Sequence, residues 1–121
     1  MKKLPLKRSK RDITIFSPED TLSKMVQSGD EVSYKEFIDT GSYTAGLVRF
    51  KPKEVLDGRY ILHERDDVLC YVISGHGVLR IGDDSKEVRA GSIIYIPYGN
   101  NHDFVANDEL LVFFVKIREA N

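Results

Sequence analysis

Of the three histidines in the chain, His102 stands where an imidazole can do chemistry. It ends the stretch Gly91-Ser-Ile-Ile-Tyr-Ile-Pro-Tyr-Gly-Asn-Asn-His102. Within it, the β-branched and aromatic run from Ser92 to Ile96 reads as a buried strand, and Pro97, Gly99, Asn100 and Asn101 read as the tight turn that stops it. His102 is then the first residue of the next strand. A side chain in that place is held at the mouth of a sheet, where an imidazole is supported by backbone yet open to a metal, a proton or a ligand.

The spacing resembles the second signature motif of the cupin superfamily: a Gly, five residues, Pro, one residue, Gly, two residues and a His. Gly91, Pro97, Gly99 and His102 match it, and the Asn that closes the pattern falls one place late, at Asn107. Gly, Pro and Gly alone would be the punctuation of a hairpin, and the His in register is what carries the resemblance. It implies an all-β, cupin-type antiparallel barrel or jelly roll.

Upstream, the segment from Gly58 to Gly75 occupies the place of the first cupin motif, which supplies two His separated by one residue, then a Glu, then a Gly. His63 stands where the second His would be and Ile61 where the first would be. Asp67 takes the place of the Glu if one extra residue is allowed before Gly75, whereas a shift of one residue puts Glu64 and Val68 at the last two positions. Ile61 and His63 lie two apart and so share a strand face. The resemblance thus implies a metal set of His63, Asp67 and His102, two imidazoles and a carboxylate suited to Fe, Mn, Ni or Zn as the divalent cofactor. The plainer readings are that His63 sits on a charged loop and that Asp67 pairs with Arg65 or caps a turn. His76, between two glycines, reads as an exposed turn residue, and Cys70 as a buried, inert thiol. Tyr71, Tyr95, Phe104 and Phe113 read as core or pocket wall.

These residues need a framework of strands. Asp12 to Phe16 reads as a short strand and Ser17-Pro18-Glu19-Asp20 as a helix start, with Ser17 capping, Pro18 in the first turn and the acids facing the dipole. Leu22, Met25 and Val26 would form the helix's apolar stripe, and Gly29 would stop it. Strands are then expected at Tyr34 to Ile38, Tyr43 to Lys51, Tyr60 to Glu64, Val68 to Ser74, Gly77 to Ile81, Glu87 to Arg89, Ser92 to Ile96, His102 to Ala106 and Leu110 to Ile117. Many short strands, glycine-rich turns and one helix argue for an antiparallel sandwich or barrel. Two of them, Val68 to Ile73 and Leu110 to Ile117, are apolar on both faces and must be covered on both sides. The barrel interior covers one face, and either the N-terminal strand and helix or a second subunit covers the other; a small-molecule ligand and a homodimer partner are expected.

At 121 residues the chain has room for one domain, expected over residues 12–121 behind a basic arm at residues 1–11. That arm holds six of the 18 Lys and Arg and none of the 19 acids. No helix or aromatic interleaving accompanies the charge, so it is read as a tail rather than a nucleic-acid contact. No apolar run approaches the ~20 residues of a membrane span, the N-terminus lacks the apolar core of a secretory signal, and the single cysteine excludes an internal disulfide. A cytoplasmic location is expected. Phosphate-cradling loops, nucleophile elbows and Cys-x-x-Cys pairs are missing. Two functions are compatible with these residues: a metal-dependent oxygenase- or isomerase-type enzyme, and a small-molecule sensor whose metal site has decayed.

Overall fold

The structure is a computed structural model that describes residues 13–28, 31–52 and 63–118. The basic arm, Gly29, the Gly58 turn, Ile61 and most of the expected strand Tyr60 to Glu64 lie outside the described residues. His63 to Arg65, the described part of that stretch or beside it, are not strand.

Ser17 caps α1 (Pro18–Leu22) as expected, its hydroxyl accepting from the Asp20 backbone N–H at 3.1 Å, with Glu19 and Asp20 in the first turn. The helix stops sooner than the apolar stripe suggested. Ser23 is extended and Lys24 takes a φ of +58°, which turns the chain away. The Lys35 ammonium then donates to the carbonyls of Asp20 and Ser23, oxygens that a helix end leaves without intrahelical partners. Val26 consequently belongs to β1 (Val26–Gln27), not to the helix. The expected strand at Asp12 to Phe16 is also corrected: residues 13–16 are not strand, and Ile13 is 89% exposed. The edge that such a strand would pair with is taken, because β1 is hydrogen-bonded to β2 (Val32–Asp39).

The remaining strands are β3 (Tyr43–Phe50), β4 (Asp66–Ser74), β5 (His76–Ile81), β6 (Asp84–Arg89), β7 (Ile93–Ile96), β8 (His102–Ala106) and β9 (Leu110–Arg118). They form a six-stranded sheet in the order β1-β2-β3-β9-β4-β7 and a three-stranded sheet in the order β6-β5-β8, with antiparallel pairing throughout. The fold is an all-β jelly roll, as expected, but its two sheets do not close into a barrel. Four short connections carry the chain between sheets, at Gly75 from β4 to β5, at residues 90–92 from β6 to β7, at residues 97–101 from β7 to β8 and at residues 107–109 from β8 to β9, while the ladders stay separate.

Alternation along β4 and β9 decides what lies between the sheets. Val68, Cys70 and Val72 of β4 point in with Leu110, Val112 and Phe114 of β9, and meet Leu79, Phe104 and Ala106 from the smaller sheet. Val72, Leu110 and Val112 have no exposed surface, and burying each is worth about 1.5–3 kcal/mol before the entropy of ordering is counted. The opposite faces of the same strands carry Leu69, Tyr71 and Ile73 on β4 and Phe113 and Ile117 on β9, flanked by Ile93 and Tyr95 on β7. Those seven side chains are 40–72% exposed. Tyr71, Tyr95 and Phe113 are therefore neither core nor pocket wall, because strand parity puts them outside. Of the four aromatics assigned to the interior, only Phe104 is there.

Candidate functional site

His102 opens β8 after the turn at residues 97–101, and that turn also reaches His63. Gly91 (φ +95°) and Gly99 (φ +85°) occupy the left-handed region that glycine adopts without strain. The Gly99 N–H donates to the His63 carbonyl at 2.8 Å, and the Asn100 side-chain amide donates to the Pro97 carbonyl at 2.9 Å. Glycine at 99 thus lets the chain reverse and tie itself to the segment carrying the other histidine. The two imidazoles lie with ring centres 5.7 Å apart.

His102 is 3% exposed and its Nδ1 lies 3.1 Å from the Asn100 carbonyl oxygen. A carbonyl only accepts, so this bond assigns the proton to Nδ1 and leaves the Nε2 lone pair available. Burial pushes the His102 pKa down, opposed by its bond to Asn100 and by the Asp103 charge. His63 is also lowered, first by burial, then by His102 and the Lys116 ammonium, with Asp66 opposing. Both rings are neutral at pH 7, the form that ligates metals or accepts a proton.

The histidines head a cavity of about 380 Å³ between the sheets. Val48, Phe50, Val68, Phe104 and Phe114 make its apolar wall, and Tyr34, Glu36 and Lys116 add polar groups. The Lys116 Nζ is 3.5 Å from a Glu36 carboxylate oxygen and 5.9 Å from the centre of the Phe114 ring. These three polar residues were not singled out from the sequence. The available signal was parity in β9: Lys116 follows Phe114 by two and so shares its inward face. Cys70 also lines the cavity, and burial pushes its thiol up to about 12, so it is protonated and inert, as expected.

The acid of the expected metal set is elsewhere. Asp67 precedes inward-facing Val68 and therefore falls on the outer face, where its carboxylate accepts from the Tyr95 hydroxyl at 2.8 Å and the Tyr98 N–H at 2.9 Å. It caps the turn that holds His102. Glu64 is exposed on a bend. Among the described residues no three His, Cys, Asp or Glu side chains converge. Two neutral imidazoles suit a borderline divalent metal, but they fall short of the three protein ligands of catalytic zinc sites or of a two-His, one-carboxylate triad, so the described residues do not complete a metal centre. His76 is exposed as expected, 3.0 Å from Asp108, but it opens β5 and pairs with Arg89 rather than lying in the turn.

Comparison with known proteins agrees with this architecture. A family model described as a cupin domain matches residues 46–116. KdgF from a Halomonas species superposes with a TM-score of 0.71 at 20% identity, covering 88% of this chain and 96% of its own. Ectoine synthase from P. lautus gives 0.72 at 11% identity, with 90% and 80% covered. An acireductone dioxygenase of Exiguobacterium sibiricum is 33% identical over 60 residues, 46% of this chain, and the match spans about a third of that relative's length, 34%. No helix among the described residues is long and apolar enough to cross a membrane.

Proposed function

This chain belongs to the cupin domain family, and from that premise we propose that it binds a compact small molecule between its sheets, with an apolar body and a polar or anionic head. The observation that supports this is the 380 Å³ apolar cavity headed by two facing, neutral imidazoles. Burial of the body against Phe50, Phe104 and Phe114 supplies affinity. The His102 Nε2 accepts a hydrogen bond from the head, and Lys116, released from Glu36, receives negative charge. Compact aromatic and aliphatic acids, alcohols and amides, screened by thermal shift, test the reading. A binder raises the melting temperature through its preference for the folded state, and the response is lost in His102→Ala. A folded wild-type protein that no compound stabilises, or an undiminished response in the variant, contradicts it.

A second reading is a metal-dependent enzyme of oxygenase or isomerase type, in which His63 and His102 would hold Fe, Mn, Ni or Zn and the metal would act as a Lewis acid. The pairing of two neutral imidazoles favours it. Calorimetric titration with each metal separates the readings. About one ion per chain, lost in both His63→Ala and His102→Ala, supports the enzyme. Near-zero occupancy after reconstitution removes it and leaves the binding module.

A further inference from the structure

Resting on the binding reading above, we propose that the head of the ligand is zwitterionic and that the cavity takes a free α-amino acid with an apolar side chain. The head has three groups to satisfy. His102 directs its Nδ1 proton to the Asn100 carbonyl, so the nitrogen left for a ligand is an acceptor and calls for an N–H or an O–H. Lys116 calls for an anion and Glu36 for a cation, and among the described residues that line the cavity they are the one ammonium and the one carboxylate. A carboxylate alone answers only Lys116, and an amine alone answers only His102 and Glu36. An α-amino acid answers all three, with its carboxylate on Lys116 and its ammonium between Glu36 and the His102 Nε2.

Sheet order makes the two charges neighbours. Glu36 pairs with Gly46 and Gly46 with Phe114, and Lys116 follows Phe114 by two on the same inward face. A Cβ at position 46 would run into the Lys35 carbonyl oxygen and lie 3.0 Å from the Phe114 Cζ, so glycine is what lets that ring lie against β3. The ion pair beside it is loose. Its 3.5 Å separation exceeds the ~2.7–2.9 Å of a charge-assisted hydrogen bond, and both side chains are partly exposed, so opening it costs little. A zwitterion gives each partner a new opposite charge, whereas a plain acid leaves Glu36 unpaired beside a second carboxylate. Lys116 is also near enough to His63 to help depress its pKa, and the His63 and His102 rings lie 5.7 Å apart. The charged pair and the imidazoles thus form one polar edge beside the apolar wall, which receives the side chain.

Calorimetric titration of the full chain tests this with L-leucine and L-phenylalanine, each beside its α-hydroxy analogue, its deaminated acid and its decarboxylated amine. In at least one series the amino acid should bind at least about 10-fold more tightly than its analogues. Glu36→Gln should remove that margin and leave the deaminated acid bound as tightly as before or more tightly, and Lys116→Gln should weaken amino acid and deaminated acid alike. A role confined to folding would instead weaken every probe together, and near-UV circular dichroism checks that the variants are folded. The comparison within the wild type stands even if neither variant folds. An analogue that matches the amino acid overturns the proposal while leaving the cavity a binding site. So does a margin that Glu36→Gln leaves intact, or a carboxylate affinity that Lys116→Gln leaves intact. A wild-type protein that takes none of these probes, yet is stabilised by other compounds, overturns the zwitterion alone; one stabilised by no compound overturns the binding reading with it.

Discussion

The two ends of the β5–β8 pair each carry a histidine, and they show what makes an imidazole useful. Ile81 pairs with His102 at one end and Gly77 with Ala106 at the other, beside His76. Both histidines are the first residue of their strand. His102 is buried against Phe104, with its Nδ1 proton fixed by a backbone carbonyl and a second imidazole facing it. His76 is exposed and lies beside Asp108, which also accepts its backbone N–H at 2.7 Å. Strand position is the same, and enclosure differs. A ligand reaching His102 meets a largely apolar cavity, where hydrogen bonds and charge count for more, whereas one reaching His76 meets solvent and a carboxylate.

The largest expected contrast follows from substitution at the two ends. His102→Ala should weaken binding of any compound or metal that stabilises the wild type by at least about 10-fold, or about 1.4 kcal/mol. His76→Ala should leave affinity unchanged. Calorimetric titration of both variants checks this, and equal losses would erase the difference between the ends.

The turn that carries His102 is the next lever. Asp67→Ala removes two acceptor contacts, one of them to a backbone N–H that the turn otherwise leaves to solvent. Denaturant titration should show a loss of about 1–2 kcal/mol. Because Asp67 lies on the outer face, Asp67→Asn, which keeps a carbonyl oxygen for Tyr98, should recover much of that loss and leave ligand affinity near the wild-type value. A collapse of metal binding in Asp67→Asn with stability intact would instead return Asp67 to the ligand set.

The smallest effect is a pH dependence confined to the enclosed end. His63 and His102 are lowered in the folded protein chiefly by burial, while an unfolded histidine titrates near 6.5. Between the folded and unfolded values the unfolded chain binds more protons, so acid favours unfolding. The stability from keeping these rings neutral is intact above about pH 6.5 and is lost as pH falls below it. Melting temperatures recorded from about pH 8 to 5 should decline on the acid side, and less steeply in His63→Gln and His102→Gln. Parallel curves for wild type and variants would show that neither ring is held neutral by the fold.

Much of this framework was legible because local chemistry fixes it. Turn residues at Gly75, Gly82 and Pro97 to Asn101 mark where strands end, and the spacing from Gly91 to His102 identified both the family and the residue that opens β8. What escaped depends on facing. Asp67 and Val68 are adjacent, so a one-residue ambiguity in register was enough to place the acid inside when parity puts it outside. Lys116 and Glu36 are far apart in sequence and meet only because β2, β3 and β9 are neighbours in one sheet. The run from Val68 to Ile73 showed that both faces are apolar, but only the sheet order reveals which face meets the smaller sheet and which is left open.

The most direct test is the long-range proton–nitrogen NMR spectrum of the histidine side chains at pH 7, recorded with and without the strongest compound from the stability screen. The account predicts His102 as the neutral tautomer with its proton on Nδ1, and ligand-induced shifts at His102 Nε2 and His63 while His76 stays in place. An imidazolium at His102, or shifts that fall on His76 and spare the other two, would contradict it.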